Sequence, residues 1–172
     1  LLNTGHRCLA FLAGTEDIST SVDREKGFQE FLKKEGYVSL REVGNCTYKG
    51  AYEAAIRLLK RQDPADSIFC ANDIMALGAA DAARSGLGMS IPDDVSIIGF
   101  DDIPMAGWPS YNLTTIRQPV QRMVDDSVDD LISRINASEK TSQQQFIRGD
   151  LVIRASTRLP AGVSSGWVIS QD

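Results

Sequence analysis

Four short apolar runs, each followed by a segment with different periodicity, constrain this chain more than any other feature. The runs are Arg7–Leu12, Val38–Val43, Ser67–Ala71 and Val95–Phe100. Between them lie three stretches with apolar residues at helical spacing: Val22–Glu35, Lys49–Arg61 and Asn72–Ser85. Strands alternating with helices predict an α/β fold, an open parallel sheet with helices on both faces. Strands apolar on both sides fit a sheet covered on both sides. The rhythm then changes. Asp101–Asn112 reads as a loop, Thr114–Ile116 as a very short strand, and Pro119–Asn136 as a helix. The helix carries an apolar stripe of Val120, Met123, Val124, Leu131 and Ile135. Ser138–Gln145 reads as a polar linker and Phe146–Arg154 as a last strand. Ala161–Asp172 shows no period and is expected to lack structure.

Charge narrows the function. Lys and Arg total 18 against 23 Asp and Glu, a net charge of -5 over 172 residues. Binding to nucleic acid is driven by phosphate neutralisation and leaves a basic patch. None is expected here. No apolar run approaches the roughly 18 residues that cross a bilayer, so no membrane span is expected. Cys8, Cys46 and Cys70 are odd in number and widely spaced, which is neither a disulfide framework nor a zinc pattern. A reducing, cytoplasmic setting is the reading that these thiols favour.

Catalytic patterns are missing. There is no G-x-S-x-G elbow and no phosphate-binding loop. Gly86-Leu87-Gly88 follows a helix, so it is not a dinucleotide fingerprint. His6, the one histidine, precedes the first strand and reads as a strand-entry residue. No catalytic residue, metal ligand or cofactor is expected.

Ligands of open parallel sheets bind beyond the carboxyl ends of the strands. Arg24, Asn72 and Asp101 follow the first, third and fourth strands and should converge on one rim. An Asp accepts from hydroxyls, an Arg donates from a rigid fork, and an Asn does both, which suits a neutral polyhydroxylated ligand. Each residue also has a plainer reading. Asn72 or Asp73 can cap a helix, Arg24 can pair with Asp23 or Glu25, and Asp101-Asp102 can simply make a turn.

Several segments resemble the lactose/galactose-repressor family of transcription regulators. They are Gly5-His6-Arg7, Asp23–Phe28, Phe69–Gly78, Ile91–Pro104 and Leu113–Pro119, in matching order and spacing over about Gly5 to Pro160. The resemblance implies a periplasmic-binding-protein-like fold of two α/β subdomains that close on a small effector, a sugar or nucleobase. On that basis residues 1–112 are the core of the second subdomain. Residues 113–137 are a crossover strand and helix belonging to the first, 138–160 a returning linker and strand, and 161–172 a tail. Most of the first subdomain and the DNA-binding headpiece would lie outside these residues. The family's effector residues carry over to Arg24, Asn72 and Asp101, with Thr20 and Cys46 beside them. Cys46 stands where an aromatic ring is common in the family. The effector would then be smaller, or Tyr48 would supply the ring. The family's homodimer face would fall at Met75, Leu77, Ala106 and Trp108. Operator DNA would be bound only through the headpiece. The alternative is a periplasmic sugar-binding protein or chemoreceptor of the same fold.

Overall fold

In the computed structural model, which describes residues 1–136 and 146–169, one seven-stranded sheet organises the chain. The elements run β1 (Leu9–Ala13), α1 (Ser19–Lys34), β2 (Leu40–Val43), α2 (Tyr48–Leu59), β3 (Ser67–Cys70) and α3 (Asp73–Asp81). They continue with β4 (Ser96–Asp101), β5 (Thr114–Arg117), α4 (Val120–Asn136), β6 (Asp150–Val152) and β7 (Val168–Ile169). Short turns of 3-10 helix at Leu2–Thr4 and Pro104–Gly107, and a π-helical turn at Ala82–Gly86, complete the set.

The strand order is β2-β1-β3-β4-β5-β6-β7. The first five strands are parallel, and β6 and β7 are antiparallel to their neighbours. The chain steps outward from β1 to β2 and then back across β1 to β3. Right-handed crossovers in opposite directions put α1 on one face and α2 and α3 on the other. α1 seats Phe28 against Phe11 and Phe69, all three ring pairs 5.5 Å apart. Such tilted and edge-on pairs add to what area burial alone provides. The other face is alanine-rich. Ala51, Ala54 and Ala55 of α2 and Ala76, Ala79 and Ala80 of α3 are buried, and small side chains let two helices approach the sheet and each other closely. Gly78 is required there, since a Cβ would stand 2.4 Å from the carbonyl oxygen of Tyr48.

Three expectations change. Residues 113–117, read as a crossover leaving this subdomain, pair in register with β4 and belong to this sheet. The tail also contains a strand. Val168 and Ile169 pair with Val152 and Leu151, because β6 is otherwise an edge with unpaired backbone groups. Met75, Leu77 and Ala106, expected on an uncovered dimer face, are buried in the core of this chain. Of those four only Trp108 is exposed. α3 is apolar on every side, and spacing alone does not tell which side meets solvent. Of the thiols, Cys70 is buried in the core, whereas Cys8 is only partly buried. The polar linker Ser138–Gln145 lies outside the described residues.

Candidate functional site

The order of strands reverses between β1 and β3, which makes the gap at their carboxyl ends the natural crevice of the sheet. Arg24, near the start of α1, reaches across it. Its Nη1 donates to the carbonyl of Ala71 at 2.7 Å, and its Nη2 donates to Asp101 Oδ1 at 3.3 Å. The guanidinium carbon lies 3.8 Å above the ring of Phe100. A cation held over an aromatic face gains from the ring quadrupole and keeps the fork flat on the rim. The side chains of Arg24 and Asp101 are 18% and 30% exposed, so both keep a face open to solvent. Burial pushes the Asp101 carboxyl above its ordinary range, although the charge of Arg24 and the bonds from Gln118 and Arg24 oppose that.

Asn72 sits beside Ala71 and immediately precedes α3. Its Oδ1 accepts from the amide of Met75 at 2.9 Å and caps α3. The capping role is therefore filled by Asn72. Asp73, left open beside it, is fully buried and has another purpose. Its Oδ1 accepts from Thr115 Oγ1 at 2.6 Å, and its Oδ2 accepts from the amide of Ile103 at 2.9 Å. Gly99 makes the room, because a Cβ there would stand 2.0 Å from Asp73 Oδ1. Burial raises the Asp73 carboxyl, with the two hydrogen bonds working against it. Asp73 thus anchors the turn that carries Asp101.

That turn is unusual. Asp101 and Asp102 have φ of 118° and 55°, both in the region that favours glycine. Non-glycine residues there persist only where surroundings impose them. Asp102 is gripped by Arg117 at 2.6 Å and Arg154 at 2.7 Å. Burial alone would raise its carboxyl. The two hydrogen bonds and positive charges outweigh burial and hold it below the ordinary range.

Thr20 is exposed in the first turn of α1. Cys46 is partly buried and also has positive φ, 57°. Its Sγ lies 2.5 Å from where a Cβ on Gly14 would be, so the thiol is turned against the end of β1. Tyr48 does not stand in for the absent ring. Its hydroxyl donates to Asp81 Oδ2 at 2.6 Å, toward α3. A cavity of about 330 Å³ beside the first turn of α1 is lined by Gly14, Ser21, Glu25 and Arg41, among others, and does not include Arg24 or Asp101. Gln118, Phe100, Arg117 and Arg154 were not singled out from the sequence. Gln118 donates to Asp101 Oδ1 at 2.7 Å. Its position one residue past a strand end was a usable signal. The partners of Asp73 and Asp102 lie 15 to 52 residues away, and no local signal marks them.

His6 is buried before β1, with Nδ1 2.9 Å from Thr4 Oγ1, and burial lowers its pKa. Among the described residues no cluster of His, Cys, Asp and Glu could hold a metal ion, and no helix is long and apolar enough to cross a membrane.

Residues 1–157 match the periplasmic binding protein-like domain family. The chain is 33% identical over 164 residues to the transcriptional regulator AscG of Escherichia coli, covering 91% of this chain and 48% of the relative. It is 29% identical over 160 residues to the probable transcriptional repressor ExuR of Bacillus subtilis, with the same coverage. Its fold superposes on the solved complex of the regulator CelR with cellobiose at a TM-score of 0.83. That pair is 31% identical, over 91% of this chain and 48% of the other. The chain spans about half the length of the curated relatives it matches. These relatives are named as regulators and repressors, not as enzymes. These matches place the chain in the periplasmic-binding-protein-like lactose/galactose-repressor family.

Proposed function

We propose that this chain is the effector-sensing part of a cytoplasmic transcription repressor, and that it forms one lip of a cleft for a small, neutral, hydroxyl-rich molecule. The observation that carries this is Arg24 lying flat on Phe100 while bonded to Asp101 and Ala71. A fork-shaped donor, an acceptor with one oxygen left free among the described residues and the Asn72 amide suit ring hydroxyls. The positive charge of Arg24 is balanced by Asp101, which favours a neutral ligand over an anion. The solved relative CelR is described with cellobiose, in keeping with a sugar. Thr20 and Cys46 would flank the ligand, and the thiol turned toward Gly14 leaves room without offering a ring to stack on.

The second lip would come from another subdomain, to which α4 would belong. That helix has no buried residue here and exposes Val120, Val124, Leu131 and Ile135. A homodimer would use the surface around Trp108, joined by Ile74 rather than by the buried Met75, Leu77 and Ala106. Operator DNA would be held through a separate headpiece.

A thermal-shift screen of neutral sugars and nucleobases on the full-length protein, followed by calorimetry, tests the reading. A sugar that raises the melting temperature should lose that effect in Arg24→Ala. Retained binding in that variant, or stabilisation by nucleobases alone, would overturn the reading.

A further inference from the structure

Two neighbouring residues at the end of β5 grip two neighbouring residues at the end of β4. Gln118 Nε2 donates to Asp101 Oδ1 at 2.7 Å, and Arg117 Nε donates to Asp102 Oδ2 at 2.6 Å. Asp102 Oδ1 accepts from Arg154 Nη2 at 2.7 Å, and the same guanidinium donates through Nη1 to the carbonyl of Leu113 at 2.7 Å. The Asp102 side chain is 8% exposed, so solvent screens these pairs less than ordinary surface pairs. Arg117 closes β5, just before α4, and Arg154 lies just beyond β6. One carboxylate therefore joins the strand that leads out to α4 to the strand that follows its return.

We infer that Asp102 is a positioning residue that couples the Asp101 side of the effector rim to the two chain crossings around α4. The inference rests on the proposed effector site. The two acids cannot move independently. They are adjacent, both have positive φ, and the next amide, that of Ile103, is fixed by the buried Asp73. Turning the Asp101 backbone rotates the peptide that leads into Asp102. A ligand hydroxyl that bonds to Oδ2 of Asp101 pulls on the same carboxylate whose Oδ1 is held by Gln118 and Arg24. Occupancy of the rim is thereby felt at residue 118 directly and at residues 117 and 154 through Asp102. Coupling of this kind is reciprocal.

Hydrogen exchange on the full-length protein, with no ligand added, tests the coupling. The isosteric variant Asp101→Asn should raise exchange in residues 150–155 by about fivefold or more. Among the described residues no hydrogen bond joins Asp101 to that stretch, so a purely local role would leave it unchanged. Asp102→Asn should raise exchange in 113–118 and 150–155 and, reciprocally, in 19–25, where Arg24 lies. Should Asp102→Asn fail to fold, Asp101→Asn decides alone. Glu53→Gln, on the outer side of α2, serves as the control. If Asp101→Asn alters only 19–25 and 99–104, the inference falls. Because no ligand enters the measurement, a failed sugar screen would overturn the effector reading without touching this result.

Discussion

α3 buries seven of its nine residues, whereas α4, twice as long and bearing a marked apolar stripe, buries none of its seventeen. Both helices follow a strand end in the same sheet, and both are rich in apolar side chains. α3 is bounded by β4 beneath and by α2 alongside, with Gly78 permitting the close approach. α4 leaves β5 with no element of the described chain across its stripe. Ile135 is 73% exposed and Leu131 59%. An apolar stripe states that a face needs cover. What supplies the cover is a property of the whole assembly.

The largest expected effect tests the buried side. Met75→Ala should cost about 2–5 kcal/mol in denaturant unfolding, the usual range for a long side chain truncated in a packed core. Leu131→Ala in this 172-residue chain, at a dilution that keeps it monomeric, should stay within about 0.5 kcal/mol. Equal costs would mean that α4 is packed after all. The second effect tests the uncovered side. The isolated chain should self-associate through α4, since burying a Leu or Val is worth about 1.5–3 kcal/mol. Leu131→Lys should shift light scattering toward monomer, and a chain that stays monomeric at high concentration with α4 helical would break the comparison. The third concerns the first turn of α3. Asn72→Ala should cost about 0.5–2 kcal/mol through loss of the cap on Met75, read as a lower unfolding midpoint.

The smallest effect separates the two acids at the rim by pH. Asp102 is held below the ordinary carboxylate range, so its contribution is present above that range and is lost as pH falls through the lower folded value. Asp101 is pushed above it, so its charge costs stability at neutral pH, and that cost is relieved as pH falls through the raised value. Melting curves between pH 7 and about pH 3 should show Asp102→Asn destabilised at neutral pH and losing less on acidification. Asp101→Asn should lose more on acidification than the parent. Identical pH profiles would remove the distinction between the two carboxylates.

Much of this was legible in the sequence. The repeat of strand and helix up to Asp101 was readable because neighbouring elements in α/β folds are also neighbours in space. Arg24 and Asp101 were placed on one rim because strand ends in a parallel sheet all point the same way. The tail strand Val168–Ile169 was missed because two residues carry no period. Its pairing is dictated by the open edge of β6 rather than by its own composition. Asp73 read as a cap candidate, and only the fold revealed Thr115 and Ile103 as its partners.

By itself, then, the sequence determined the order of elements, the parallel core of the sheet, the acidic character of the chain and the trio that follows its strands. These follow from local periodicity and residue chemistry, which operate over a few residues. Only the tertiary structure decided that β5 stays in this sheet, that Met75 and Ala106 face inward and that α4 stands uncovered. It likewise decided that Asp101 and Asp102, identical in type and adjacent in the chain, are pushed in opposite directions by their surroundings. Such outcomes depend on which distant groups meet, and a side chain's energy is set by the partners and solvent around it more than by its own identity.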